Sequence, residues 1–214
     1  MIEQYSQEWF GARLGKITSS TIWHLIVEPQ TKKEGDLSKT TKDYLMTKVA
    51  ERLSGVQRNH DSAATTHGIQ LENEALKYYA KKTGNIVEEA GYIEMIAGLY
   101  GGTPDGFVND DGLIQVKCPW NYVNHLNYGV INDVEVFKKK YREYYWQCQS
   151  DMLVSNREFC DFVSYCPDMP EKYKMSILRL PANLDDMQLL VSRLELSGKF
   201  IEEAMHEIET QWIG

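Results

Sequence analysis

The sequence predicts a fold of the α/β or α+β class, in which a central mixed β-sheet is flanked by helices. Helical periodicity dominates roughly the first 83 residues. Short β-prone segments separated by Gly, Asn and Asp follow between residues 86 and 116. A long helical segment, two alternating segments and a helical C-terminus complete the chain. This order of segments indicates the class but does not decide the topology.

The N-terminal part is predicted to be helical, because apolar residues recur there at helical spacing. Hydroxyl side chains offer N-caps: the run Thr18-Ser19-Ser20 for the second helix, and Thr40 or Thr41 for the third, which Gly55 ends. The predicted helices cover residues 6–15, 20–26, 40–53 and 67–83, with a loop over 29–35 and a polar segment over 57–66 that we expect to be mobile.

The C-terminal part is predicted to alternate strands and helices. Short segments rich in β-branched residues and bounded by turn residues indicate hairpins of a mixed sheet. One long helix is predicted over residues 136–155, with a buried stripe of Phe137, Tyr141, Tyr144, Cys148 and Met152. The predicted strands cover residues 86–87, 92–93, 106–108, 113–116, 159–165 and 173–180, and one or two helices cover 184–212.

Length and composition are those of an ordinary globular domain. The 214 residues fit a single core, and the hydrophobic share of 43% and charged share of 25% are close to globular averages. The sequence has no apolar run long enough to span a bilayer, and its first residues lack the pattern of a signal peptide. We therefore expect a soluble, cytoplasmic protein of one domain with no membrane association.

Charge and cysteine content exclude some classes of function. The net charge of −8 argues against a protein that coats nucleic acid nonspecifically, although it leaves room for a local basic groove such as one around residues 138–140. The four cysteines form no CxxC pair and have no flanking histidines. A zinc site and an iron-sulfur cluster are therefore not supported, and reduced thiols are expected.

The segments GTPDG and LIQVKCP carry the clearest signal of chemistry. Asp105 lies in the first, between Pro104 and Gly106, and a short carboxylate at a turn suits Mg²⁺ or Mn²⁺. Strand alternation in the second places Gln115 and Lys117 on one face. A metal-dependent phosphodiesterase needs this combination of hard oxygen ligands and a cation near the phosphate. The plainer alternative is a turn followed by a half-exposed strand.

Further pieces occur in an order that is more specific than any one of them. They are Trp9-x-x-x-Arg13, residues 14–20 (LGKITSS), Gly68-x-x-x-Glu72-Asn73, residues 103–106 (TPDG), Lys117-Cys118-Pro119 and Tyr144-x-x-Gln147. Together, over residues 9–147, they resemble the phage lambda exonuclease family, the YqaJ-type viral recombinase nucleases of the PD-(D/E)xK superfamily. The resemblance implies a restriction-endonuclease-like fold and a single nuclease domain over residues 1–214.

The resemblance also implies roles for the matched residues. A pocket for the 5′-terminal phosphate of DNA would be formed by Arg13, Ser20 and Thr103. Metal ligands would be Glu72, Asp105, the side chain of Gln115 and the carbonyl of Val116. Lys117 would be the catalytic lysine, and Gln147 with Tyr144 would position water and substrate. Taken singly, Arg13 is also typical of an exposed helix face, Ser20 of a helix cap and Glu72 of a solvated carboxylate.

Gln115 departs from the family pattern, which has an acidic residue at this position. Glutamine keeps an oxygen but removes one negative charge, so we expect weaker metal occupancy and an impaired or inactive enzyme. One interpretation is a Glu-to-Gln substitution made to stop cleavage while DNA binding persists. The other is a natural member that tolerates an amide.

The resemblance implies a Mg²⁺-dependent 5′-to-3′ exonuclease, with two ions per site in the acidic form, that acts on linear double-stranded DNA. It would leave 3′ single-stranded tails for recombination, assemble as a trimeric ring and act with a single-strand annealing recombinase. Two alternatives stay open. One is a noncatalytic module that binds 5′-phosphorylated DNA ends, and the other is a different PD-(D/E)xK nuclease, either structure-specific or CRISPR-associated.

Overall fold

A computed structural model describes residue 4, residues 6–57 and residues 63–213, with the backbone alone for 63–65. Seven α-helices lie in this part of the chain: α1 Gln7–Arg13, α2 Lys39–Ser54, α3 Ala63–Thr83, α4 Tyr122–Gly129, α5 Val134–Lys140, α6 Arg142–Ser155 and α7 Leu184–Gln211. Short 3-10 helices cover Ser19–Ile26, Lys32–Glu34 and Glu171–Tyr173. Half of the segment 57–66 that we expected to be mobile, residues 58–62, lies outside the described residues.

Eight strands form two sheets, so the predicted mixed α/β class with a central sheet is confirmed. They are β1 Ile17–Thr18, β2 Val87–Glu88, β3 Ile93–Ile96, β4 Tyr100–Gly102, β5 Gly106–Val108, β6 Gly112–Lys117, β7 Phe159–Tyr165 and β8 Met175–Pro181. The larger sheet has the order β2-β5-β6-β7-β8, in which only the β6–β7 pair is parallel. The smaller sheet has the order β1-β4-β3.

Strand β6 lies at the centre of the larger sheet, and its two faces pack into different cores. Ile114 and Val116 pack with Ala75 and Tyr79 of α3. Leu113 belongs to the other cluster, which is built around α6 and α7. The predicted alternation along β6 is therefore confirmed, and the odd-numbered face, which carries Gln115 and Lys117, lies on the side of α6.

The smaller sheet brings the N-terminal segment to the site. Strand β1 pairs in parallel with β4, so that Thr18 lies opposite Gly101. The approach is close: a Cβ on Gly102 would lie 2.3 Å from Ser19 Oγ and 2.8 Å from Asp151 Oδ1. Only glycine fits there without displacing these side chains. Neither β1 nor β4 was predicted from the sequence.

Four local predictions were wrong in detail. The second helix is a 3-10 helix, and its N-cap Thr18 makes no side-chain capping bond. Ser38, and neither Thr40 nor Thr41, caps α2. The long helix predicted over residues 136–155 is broken at Tyr141, where φ is −128° and ψ is 53°. Helix α4, which follows β6, was not predicted.

Helix α6 crosses the interior and is buried on every side over residues 145–152. Polar side chains on this stretch therefore need internal partners. Gln149 donates to the carbonyl of Pro181 and accepts from Asn183 N–H, and Ser150 bonds Tyr100 and Ser19. Gln147 and Asp151 are also buried polar residues of this stretch, and they belong to the region of the candidate site.

Two expectations based on composition were also tested. All four cysteines are buried and unpaired, as expected for reduced thiols. Within the described residues, no helix combines the length and the apolar character needed to cross a bilayer.

The cap of α2 provides a test of the fold. Ser38 Oγ accepts from Thr41 N–H at 3.1 Å and is buried, whereas the side chain of Thr40 is exposed. Ser38→Ala should lower the free energy of unfolding by about 1 kcal/mol, because one N–H at the helix start loses its partner. Thr40→Ala is the matched control and should be close to neutral. Urea unfolding of both variants measures this, and equal losses would contradict the assignment of the cap.

Candidate active site

The predicted site residues converge on one cavity. A polar cavity of about 350 Å³ is lined by Gln4, Arg13, Thr18, Ser19, Ser20, Glu72, Thr103, Asp105, Gln115, Val116, Lys117 and Gln147. Of the residues that we singled out, only Tyr144 is missing, and it lines an adjoining cavity of about 580 Å³. Glu72, Val116 and Lys117 line both cavities. The roles of these residues stay predictions, but their proximity is a feature of the structure.

A chain of hydrogen bonds runs across the floor of the smaller cavity. Lys117 Nζ donates to Gln147 Oε1 at 3.4 Å, and Gln147 Nε2 donates to Gln115 Oε1 at 2.9 Å. Gln115 Nε2 then donates to Asp105 Oδ2 at 2.5 Å. The chain ties α6 to β6 and β6 to the turn that holds Asp105. It also explains how Gln115, only 2% exposed, satisfies its buried amide.

Asp105 lies beside β6 because the backbone also holds it. Its Oδ2 accepts from Val116 N–H at 2.7 Å as well as from Gln115. Burial raises the pKa of Asp105 above its usual value, while Lys117 and the two hydrogen bonds act in the opposite direction. A carboxylate whose burial is not fully compensated favours a nearby positive charge.

The amide of Gln115 suits this arrangement because it donates on one side and accepts on the other. A glutamate at this position could still accept from Gln147, but it would place a second carboxylate against Asp105 Oδ2. That contact is unfavourable unless a cation lies between the two groups. The present geometry is thus complementary to the amide, and the acidic form would need a bound ion to stabilise it.

The oxygen atoms that face the cavity are of the chemical type that a hard divalent ion binds. Glu72 and Asp105 supply carboxylates, and Val116 lies between Gln115 and Lys117 on the wall. Hard ions such as Mg²⁺ prefer such oxygen ligands. In the described part of the chain, however, no three His, Cys, Asp or Glu side chains are grouped to hold a metal. The site has one carboxylate fewer than it would have with a glutamate at position 115, because Gln115 is an amide.

The same cavity is also lined by Arg13, Ser20 and Thr103. The guanidinium of Arg13 lies 3.8 Å from the ring centroid of Trp9, one helical turn earlier in α1. Trp9 Nε1 also donates to Thr103 Oγ1 at 3.1 Å. The side chain of Ser20 is exposed, and its hydroxyl lies 3.3 Å from Thr18 Oγ1. A cation and two hydroxyl groups therefore face the same space, a combination that suits an anion such as phosphate.

Trp9 has a structural role that sequence reasoning missed. Its spacing to Arg13 was noted, but no function was assigned to it. The indole is 6% exposed and contacts two of the three predicted phosphate ligands, so it positions both. The i, i+4 spacing of an aromatic residue and an arginine was the only signal available in the sequence.

Asp151 is a second feature that sequence reasoning missed. It lies one turn after Gln147 on α6 and is fully buried, and neither of its oxygens meets full hydrogen-bond geometry with a described residue, although Ser19 is near enough to favour the charged form. Burial and then the charge of Asp105 raise its pKa to about 7, although Ser19, Lys117 and Arg13 oppose the shift. The carboxyl group therefore changes charge near neutral pH, directly behind the cavity.

Comparisons with known proteins identify a family and similar solved structures. The family model described as a YqaJ-like viral recombinase domain matches residues 8–158. An alkaline exonuclease, LHK-Exo from Laribacter hongkongensis, is similar at 31% identity with a TM-score of 0.80, over 96% of this chain and 97% of that chain. The structure of LHK-Exo in complex with dAMP gives 30% identity and a TM-score of 0.81 over the same shares.

A phage-related exonuclease from Haemophilus somnus 129PT has a TM-score of 0.77 at 18% identity, over 90% of this chain and 96% of that chain, and shows likeness of fold alone. A search among curated proteins gave no match. The family model and the alkaline exonuclease together support a nuclease role in recombination.

Replacing Asp151 with Asn tests the buried carboxyl group. Its pKa is about 7 in the folded protein, against about 3.9 in an unfolded chain. Because the folded pKa is the higher, this group's contribution to stability is fully present below about pH 4 and is lost as the pH rises through 7. Asp151→Asn should therefore raise the free energy of unfolding by on the order of 4 kcal/mol at pH 8, and by much less at pH 4.

Urea unfolding of the parent and the variant at both pH values measures this difference. Asp161→Asn is the matched control, since Asp161 is equally buried but accepts from Tyr79 and Arg179. That variant should be destabilised at pH 8. An equal effect of Asp151→Asn at pH 4 and pH 8 would contradict the role assigned to its charge.

Proposed function

The chain belongs to the family of YqaJ-like viral recombinase domains, and we propose on that premise that it is a divalent-metal-dependent 5′-to-3′ exonuclease acting on linear double-stranded DNA. Digestion of one strand leaves a 3′ single-stranded tail for recombination by single-strand annealing. One observation carries the proposal: a cation with two hydroxyl groups (Arg13, Ser20, Thr103) and a group of carboxylates with a lysine (Glu72, Asp105, Lys117) line the same cavity. A site of this form cuts at a fixed distance from a bound terminal phosphate.

Arg13, Ser20 and Thr103 bind the terminal 5′-phosphate in this proposal. Arg13 supplies charge-assisted hydrogen bonds, which are stronger and more directional than neutral ones. Each cut leaves a new 5′-phosphate that binds the same three residues. The preference for the 5′ end thus follows from the position of the pocket relative to the cleavage residues.

Lys117 stabilises the charge that develops on the scissile phosphate, and Gln147 holds the lysine in position. Tyr144, whose ring centroid lies 5.2 Å from Lys117 Nζ, covers the other side of the ammonium group. Glu72, Asp105, Gln115 and Val116 would hold Mg²⁺ or Mn²⁺, two ions in the acidic form. When bound, such an ion polarises the phosphate and lowers the pKa of a coordinated water.

The alkaline exonuclease relative supports a nucleotide as ligand, because its structure was solved in complex with dAMP. We further propose that the 214 residues form one nuclease domain and that three copies close a ring around DNA. Ring closure would keep an acidic protein on its substrate without strong nonspecific attraction. The partner in this proposal is a single-strand annealing recombinase.

Gln115 makes the present chain a weak or inactive enzyme in this proposal. The amide removes a negative charge and donates to Asp105, which draws that carboxylate away from metal binding. The same contact favours a second candidate function, a noncatalytic module that recognises 5′-phosphorylated DNA ends. Substrate-end preference separates both candidates from a structure-specific or CRISPR-associated nuclease, which does not require a 5′-phosphorylated duplex end.

Restoring the acidic residue separates the two candidates. Gln115→Glu should increase Mg²⁺-dependent digestion of a 5′-phosphorylated duplex by about 10²-fold, since a preorganised electrostatic group regained at an active site is worth that much. Release of acid-soluble nucleotides over time measures it. Adding Lys117→Ala to this variant is the control and should abolish the gain. Tight binding of the 5′-phosphorylated end with no digestion by either the parent chain or Gln115→Glu would favour the noncatalytic module.

The phosphate pocket is tested through Arg13. Arg13→Ala should weaken binding of a 5′-phosphorylated duplex roughly 10- to 100-fold, the range for losing a charged hydrogen bond. Binding of the same duplex with a 5′-hydroxyl should change little, because the lost partner is absent there. Arg13→Lys keeps the charge, and its affinity for the 5′-phosphorylated duplex should fall between those of the parent and of Arg13→Ala. Titration by fluorescence anisotropy in EDTA measures all of these, and equal weakening for both ends would remove Arg13 from the pocket.

A further inference from the structure

A largely uncharged cavity adjoins the candidate active site. Its volume is about 580 Å³, and its wall includes Ile69, Trp120, Asn121, Asn124 and Tyr128. Among the residues that the structure describes, the only charged side chains that line it are Glu72 and Lys117, which it shares with the proposed phosphate-binding cavity. A ligand whose phosphate lies between Asp105 and Lys117 therefore extends its next group into an apolar and amide-lined space.

Trp120 is the most exposed of the large apolar side chains on this wall. It lies three residues after Lys117 in the segment that joins β6 to α4, and its relative exposure is 66%. The ring of His67 meets the indole edge to face, with centroids 5.0 Å apart and an interplanar angle of 83°. Ile69, one turn of α3 away from the shared Glu72, is 39% exposed. Large apolar groups at the rim of a polar site are typical of ligand contacts.

The chemistry of the two cavities matches the two parts of a nucleotide. A phosphate requires cations and hydrogen-bond donors, whereas a base offers a flat π-face and polar edges. Indole and isoleucine side chains suit the face, and the amides of Asn121 and Asn124 suit the edges. Stacking accepts all four bases, which an exonuclease meets in turn.

We propose that Trp120 and Ile69 form a stacking platform for an unpaired base of the strand being cut, next to the scissile phosphate. This inference rests on the proposed function and names a further substrate contact of the same site. The base must leave the duplex, because inside a duplex its faces are stacked on its neighbours and its edges are paired with the other strand. The platform therefore stabilises the opening of the DNA end and places the strand across Lys117.

Binding of end-modified DNA tests the platform without cleavage. In EDTA, Trp120→Ala should weaken binding of a 5′-phosphorylated duplex with unpaired terminal nucleotides about 10-fold or more. When the first three nucleotides of that strand are abasic, parent and variant should bind equally. Trp120→Phe should retain most of the affinity. Trp212→Ala is the matched control, since Trp212 is 78% exposed at the end of α7 and lines neither cavity.

Fluorescence provides the second readout. Stacking of a base should quench the emission of Trp120, so the quench on adding this DNA should be present in the parent and in Trp212→Phe and absent in Trp120→Phe. Equal weakening of normal and abasic ends by Trp120→Ala, or an unchanged affinity, would overturn the platform. If binding did not depend on the 5′-phosphate at all, the proposed function itself would fail, and the two failures are therefore distinguishable.

Discussion

The interior position of α6 is the constraint on which the rest of the site depends. A helix buried over eight consecutive residues cannot leave its amides and hydroxyls without partners. Gln147 therefore bonds Gln115 and Lys117, and Ser150 bonds Ser19 and Tyr100. These bonds join α6 to the central strand on one side and to the smaller sheet on the other, and so they bring the parts of the chain that line the cavity together.

Alternation along β6 could be predicted from the sequence, because period-two patterning depends on local geometry alone. The turn at Asp105 could also be predicted, because Pro104 and Gly106 flank it in the sequence. The roles of Trp9 and Asp151 could not be predicted, since each acts through residues distant in the chain: Trp9 contacts Thr103, and Asp151 lies against Gly102. The break at Tyr141 was hidden because the apolar spacing continues across it. Tertiary contacts, which sequence periodicity does not contain, decided these features.

The charges around the cavity are close to balance. Glu72, Asp105 and Asp151 bring negative charge, while Arg13 and Lys117 bring positive charge, and neutral Gln115 bridges the centre. An additional carboxylate at position 115 shifts this balance by one unit toward the negative. A glutamate at position 115 would depend more on a bound cation, whereas the amide of Gln115 is stabilised by its hydrogen bonds to Asp105 and Gln147. In the proposed function, the residue at position 115 therefore sets how strongly the site depends on a metal ion.

A protein with a net charge of −8 has little to gain from long-range attraction to DNA. The proposed contacts with DNA are short-ranged and depend on features found only at an end. A terminal phosphate against Arg13 and an unpaired base against Trp120 are both of this kind, because neither is offered by the interior of a duplex. The indole of Trp9 behind Arg13 and the backbone after Lys117 set the distance between the two contacts. In the proposed function, recognition of an end rather than of DNA in general follows from that arrangement.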